Sequence, residues 1–308
     1  MSDPSRILQL HGVIVDIIYN VDALPERGGE AIVTGFQTTP GGGFNAMVAA
    51  SRMGAEVHYG GAIGTGPFGQ MVTAALVDEG IRALQKPDPA RDQGCCTVLI
   101  EPDGERSFVA HEGAEGHVSL NDLTALPQDD YPWKILSGYA LHYPGSCPAF
   151  SNWLRGDTPI TGLVFDPSPV AAALPQDALS AALSKATWVS ANLTEAEILT
   201  GTKDPVEAGL ILSKNRADGG AIVRIGAEGC VLALGEKAVH LPAHPVEAID
   251  TNGAGDTHIG AFVAALALGK PPVDAARIAN IAAALSTTRP GPATAPTRVE
   301  IARIEDIT

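Results

Sequence analysis

The sequence predicts a doubly wound α/β fold, a mostly parallel sheet with helices on both faces, together with a small β-sheet lid. Three observations predict it. Short runs rich in β-branched residues recur at 13–18, 57–59, 162–166, 187–190 and 221–225. Ala-rich stretches with helical spacing separate several of them, and strands alternating with helices place parallel strands side by side. One segment, 95–112, breaks the alternation with two strand runs around Pro102-Asp103-Gly104, and Asp-Gly between such runs is a hairpin signal.

The elements follow in chain order. The apolar run 7–18 contains His11 and Asp16 and lacks both a basic leader and a small-residue cleavage site, so it reads as a pair of buried strands. Helices are expected at 45–53 and 70–79, closed by Gly54 and Gly80 as C-terminal caps. The hairpin is an excursion from the parallel sheet, and residues 31–36 are expected to pair with it. The lid then covers about 15–36 and 92–114. Ile259, Phe262, Val263 and Leu266 fall on one face of a later helix. No repeat or low-complexity linker divides the chain, so residues 1–308 are read as one domain.

Charge narrows the partners. Lys and Arg total 20 against 35 Asp and Glu, a net −15 with no basic cluster. A binder of nucleic acid or anionic membrane needs a positive stripe, so small molecules are the expected partners. Cys95, Cys96, Cys147 and Cys230 form no C-x-x-C pair and have no His at metal-ligand spacing. They read as the reduced thiols of a cytoplasmic protein.

The strongest chemical signal is Asp250-Thr251-Asn252-Gly253-Ala254-Gly255-Asp256-Thr257 ahead of the helix. Gly253, Ala254 and Gly255 carry little side chain, so backbone N–H groups can converge on an anion at a helix N-terminus. Asp256 at that mouth opposes a bound phosphate unless it accepts a proton, as a general base does. Taken alone, the same residues also describe a glycine turn with an acidic helix cap.

This run resembles the C-terminal signature of the ribokinase-like (PfkB) carbohydrate kinases, and further segments resemble that family in its own order. Pro40-Gly41-Gly42-Gly43-Phe44-Asn45 is similar to its glycine-rich N-terminal signature. Asp16 matches its early acid, Asn192-Leu193-Thr194-Glu195 its N-x-x-E motif, and Gly226-Ala227-Glu228-Gly229 its G-x-x-G turn. The resemblance implies a kinase that moves the γ-phosphate of ATP onto a hydroxymethyl group, with Asp256 as base and Gly253–Gly255 as anion hole. Acceptor binding falls to Asp16, Gly42, Gly43 and Asn45. Nucleotide binding falls to Asn192, Glu195, Arg224, Gly226, Gly229 and Gly255, with Glu195 in the Mg2+ network. Asp250, Asn252 and Gly291 are implied to bracket a monovalent cation such as K+, near Thr288-Arg289-Pro290-Gly291. Related kinases dimerise through such lids, so a homodimer is expected.

His111-Glu112-Gly113-Ala114-Glu115 holds no Arg to grip a sugar acid, which favours a neutral sugar. A nucleoside is the alternative acceptor, with Val98, Ile100 and Phe108 as stacking surface. His142 and Tyr143 are expected at a strand end near the pocket. His258 reads as a packed helix residue. Two other classes stay open. Gly64-Thr65-Gly66-Pro67-Phe68-Gly69, with Asp88 beyond it, matches G-x-G-x-x-G and would suit an NAD(P)-dependent oxidoreductase. A non-catalytic sugar or nucleotide sensor is the second, although Asp256 has little use there.

Overall fold

A computed structural model of the chain describes residues 3, 5–157 and 159–305. Among the described residues, one sheet holds nine strands, in the order Lys237–Leu241, Cys230–Leu234, Gly220–Arg224, Trp188–Asn192, Leu163–Asp166, Trp133–Ser137, Arg6–Gln9, Glu56–Tyr59 and Arg82–Ala83. All neighbours from Gly220–Arg224 onward run parallel, and the first two junctions are antiparallel. The strand Arg6–Gln9 shows why both faces need helices. Ile7 and Leu8 are both fully buried, yet they belong to two different apolar clusters. Successive strand residues point to opposite faces, so an apolar pair in the middle of a sheet requires a layer on each side.

Helices Gly43–Arg52, Ala254–Ala267 and Pro272–Ser286 contribute Met47, Phe262 and Ile278 to one layer. Helices Cys147–Arg155 and Gln176–Lys185 contribute Phe150 and Ala178 to the other. Gly260 decides how closely the first two helices cross. A Cβ there would lie 2.1 Å from the Ala46 carbonyl oxygen. That approach brings the two helix N-termini, and the residues on them, together.

The second sheet has the order Val33–Gly42, Val13–Val21, Cys95–Ile100, Arg106–His111. The hairpin forms as expected, Cys95 opposite His111 and Ile100 opposite Arg106. The partner of 31–36 differs from the expectation. Val33–Gly42 pairs with Val13–Val21, and it is the latter that meets the hairpin, in parallel, with Asp16 opposite Cys96. The apolar run 7–18 does give two strands, but they enter different sheets. Glu115 fastens the base of the hairpin, its carboxylate accepting from the N–H groups of Gly94 and Gly113 at 2.8 Å each and from the Gln93 amide at 3.1 Å.

Both expected early helices form and start sooner, at Gly43 and Pro67. The second settles the glycine motif at 64–69. Asp92 accepts from the N–H groups of Phe68 and Gly69 at 3.2 and 2.8 Å, so the chain's own carboxylate fills the place a pyrophosphate would take.

Candidate active site

The carboxyl ends of the central strands converge on one edge of the sheet, where open α/β sheets bind ligands. Asp166 ends one strand, Asn192 the next and Arg224 the third. The helix Ala254–Ala267 opens on the same edge. Its N-cap is Gly253, at φ +72°, a left-handed conformation that favours glycine. Among the described residues the N–H groups of Gly253 and Gly255 have no protein acceptor, whereas that of Ala254 makes a long bond to the Thr251 carbonyl at 3.3 Å.

Asp256 lies in the first turn of this helix, where its carboxylate accepts from the Asn45 amide at 3.0 Å. Asn45 is buried in the first turn of the neighbouring helix rather than at its cap, which is Gly42 at φ +61°. Its Oδ1 is buried and has no hydrogen-bond partner among the described residues. Asp16 comes from the lid strand. Burial and the Asp256 charge push its carboxyl up to about 7. Burial pushes Asp256 up to about 6, with Asp166 adding to the rise and the Asn45 bond and Arg224 opposing it.

The glycine segment is divided differently from the sequence reading. Gly41 lies against the acid, since a Cβ there would stand 2.0 Å from Asp16 Oδ2. Gly42 makes the turn into the helix, and Gly43 lies against the Gly12 carbonyl and Gln9.

Asn192 and Glu195 form a reciprocal helix cap. Asn192 Oδ1 accepts from the Glu195 N–H and Glu195 Oε2 from the Asn192 N–H, both at 2.8 Å. Arg224 stands 3.4 Å from both Asp166 and Glu195, and donates to the Ser190 hydroxyl at 2.7 Å. Burial, then the Asp166 charge, raises the Glu195 carboxyl above its ordinary value despite Arg224. A cleft of about 460 Å³ opens beside this cluster, lined by Asn192, Arg224, Gly226, Gly229 and Gly255. It has the size of a small-molecule site. His258 also lines it, buried, its Nε2 bonded to Asn280 at 3.1 Å and its proton affinity depressed by burial to about 3. It is a neutral, packed residue there.

Residues 10–298 match the pfkB family carbohydrate kinase. The chain belongs to that family. Among its relatives are the uncharacterized sugar kinase YegV of Escherichia coli K12, 30% identical over 96% of this chain and 92% of the relative. A ribokinase of Bacillus subtilis is 32% identical over 88% of this chain and 89% of its own length. In fold, the chain is similar to a ribokinase of Cryptococcus neoformans solved with ADP, with a TM-score of 0.79 and 24% identity over 99% of each chain. The protein is therefore a ribokinase-like carbohydrate kinase, and the oxidoreductase alternative is displaced.

Two positions differ from expectation, and two more enter that the sequence did not mark. The strand before 142 stops at Ser137, and His142 and Tyr143 instead close the short helix Tyr139–His142. Tyr139, not singled out in the sequence, has its hydroxyl raised above the ordinary value by burial first and then by the charges of Cys96, Asp166 and Asp256. Asp166 was visible only as the end of a strand run. Its carboxylate became legible once Arg224, 58 positions away, was placed beside it.

Proposed function

We propose that the protein transfers the γ-phosphate of ATP to a hydroxymethyl group of a small neutral sugar. The observation that carries this is the Asn45–Asp256 contact at the open N-terminus of a helix, with Asp16 close enough that the Asp256 charge adds to burial in raising its carboxyl. Asp16, Asn45 and the backbone at Gly41–Gly43 hold the acceptor. Asp256 takes the hydroxyl proton, the freed oxygen attacks the γ-phosphorus, and ADP leaves with the electron pair of the broken bond. The N–H groups of Gly253 and Gly255, which have no acceptor among the described residues, face the charge on the transferring group, the preorganised donor arrangement that phosphoryl transfer needs.

Asn192, Arg224, Gly226, Gly229 and Gly255 line the ATP cleft. Asp166 and Glu195 suit an incoming Mg2+, because two carboxylates share a single guanidinium, that of Arg224, at 3.4 Å from each. Mg2+ bound with ATP would neutralise phosphate charge, and Glu195, fixed by its cap to Asn192, would hold it in place.

A nucleoside acceptor is favoured by one observation. Phe108 is 63% exposed, and its register through Val98 and Ile18 puts it on the lid face that carries Asp16. The opposite lid face leaves Phe36 64% and Val109 66% exposed, which supports a homodimer through the lid. Four free thiols and a requirement for ATP fit the cytoplasm.

The test is a coupled ADP-release screen over neutral pentoses and hexoses, sugar acids, sugar phosphates and nucleosides. Neutral sugars should exceed sugar acids in kcat/KM by about tenfold or more. A sugar acid as best acceptor overturns the acceptor class, a nucleoside selects the second reading, and silence on every acceptor overturns the kinase mechanism.

A further inference from the structure

The position assigned by resemblance to a monovalent cation holds a guanidinium of the chain itself. Asp250 Oδ1 accepts from Arg106 Nη2 at 2.7 Å and from the Asn252 N–H at 2.9 Å. Oδ2 accepts from the Gly291 N–H at 2.9 Å. Asn252 and Gly291 thus turn donors, not carbonyl oxygens, toward the carboxylate. A potassium ion needs oxygen ligands, and here it would sit against a fixed positive charge. The residues present do not fit the ion.

Arg106 belongs to the outer strand of the lid hairpin, opposite Ile100, which is itself opposite Asn20 on the face bearing Asp16. Its side chain and that of Asp250 are 27% and 19% exposed, so the pair is largely removed from water. A second lid residue lies at the same place, because a Cβ on Gly291 would stand 3.1 Å from the Gln37 amide. Two lid side chains therefore converge on the bonded pair Asp250 and Gly291, one on each, beside the loop that precedes the anion hole.

We infer that Arg106 replaces the monovalent cation, so that turnover needs no potassium. The inference rests on the reading of Gly253–Gly255 as the anion hole. Unpaired, the Asp250 carboxylate would oppose phosphate charge at the start of the same loop. Paired with Arg106 it is neutralised and the loop is pinned, with the neutralising charge delivered by the lid. Arg106 acts through Asp250 as a positioning residue.

The experiment compares potassium chloride with tetramethylammonium chloride at matched ionic strength, on the wild type and on Arg106→Ala, with Arg106→Lys as conservative control. Three readouts are taken: kcat, Mg-ADP affinity by calorimetry, and Tm. Wild-type values should agree within about twofold between salts. Arg106→Ala should lose about tenfold or more in kcat and ADP affinity in tetramethylammonium and regain most of both in potassium, with a potassium-dependent rise in Tm. Arg106→Lys should stay indifferent to potassium. Wild-type activation by potassium of about fivefold or more overturns the inference. So does an Arg106→Ala enzyme whose three readouts ignore the cation. If the wild type turns over no acceptor, the kinase mechanism fails on its own, and the salt dependence of ADP affinity and Tm still decides the role of Arg106.

Discussion

The Asn45 amide donates to the Asp256 carboxylate at 3.0 Å across 211 positions of sequence, joining the first turns of two helices. Asp256→Asn keeps an oxygen for that bond and removes the base. Its kcat should fall by about 10²–10⁴-fold, the usual worth of a positioned base. Tm should hold or rise slightly, since a partly buried charge is deleted. Steady-state kinetics and thermal denaturation on one preparation check this, and more than about a tenth of wild-type kcat remaining would remove Asp256 from the base role.

Activity should fall with acid. The Asp256 carboxyl is pushed up to about 6 by burial, so log kcat/KM should drop with unit slope below about pH 6 in the free enzyme. A profile flat down to pH 5 contradicts this.

Stability should show the opposite sign through the neighbouring Asp16. The Asp16 carboxyl is raised to about 7 in the folded chain, above its ordinary value of 3.8, so the folded state binds the proton more tightly. Its contribution is fully present below about pH 4 and is lost as pH rises through about 7. Asp16→Asn removes that loss. Its Tm relative to wild type should therefore climb between about pH 4 and pH 7 and level off above that, measured by calorimetry in matched buffers.

Gly41→Ala should separate acceptor from nucleotide binding. The new methyl meets the end of the Asp16 side chain, which can swing away, rather than backbone. The expected result is acceptor KM raised about tenfold or more with ATP KM within about twofold, read from two-substrate kinetics. Equal effects on both would place Asp16 outside the acceptor pocket.

Asn192→Ala removes the side-chain half of the reciprocal cap: Glu195 loses the bonds at its N–H and at Oε1 and keeps the backbone N–H bond to Oε2. Stability should fall by about 1 kcal/mol, and ATP KM should rise as Glu195 loses its orientation. A change in Tm alone would make the cap purely architectural.

Much of this was legible in sequence because it is local. Strand runs, the Asp103-Gly104 hairpin and the Gly253–Asp256 turn each depend on neighbours a few positions away. What was hidden depends on pairs far apart. Residues 31–36 carry strand-forming side chains that suit several partners, and only three-dimensional closure selects Val13–Val21. The motif at 64–69 satisfied its spacing, but Asp92, outside the motif, had already taken the helix N-terminus. Arg106 was not singled out in the sequence. Its meaning comes from Asp250, 144 positions on, across the gap between the two sheets.

The parallel pairing of Val13–Val21 with Cys95–Ile100 has a consequence for how the molecule is made. Parallel neighbours cannot be joined by a tight turn, and here Asp16 and Cys96 meet only after the intervening chain has laid down Glu56–Tyr59 and two helices. Closing so long a loop costs chain entropy before any lid contact forms, so the cover assembles late and borrows its order from the larger sheet. A peptide cut out at 95–111 would contain a hairpin sequence without the strand that gives it a face to bury. The part of the enzyme proposed to recognise the acceptor is thus the part that cannot be nucleated locally.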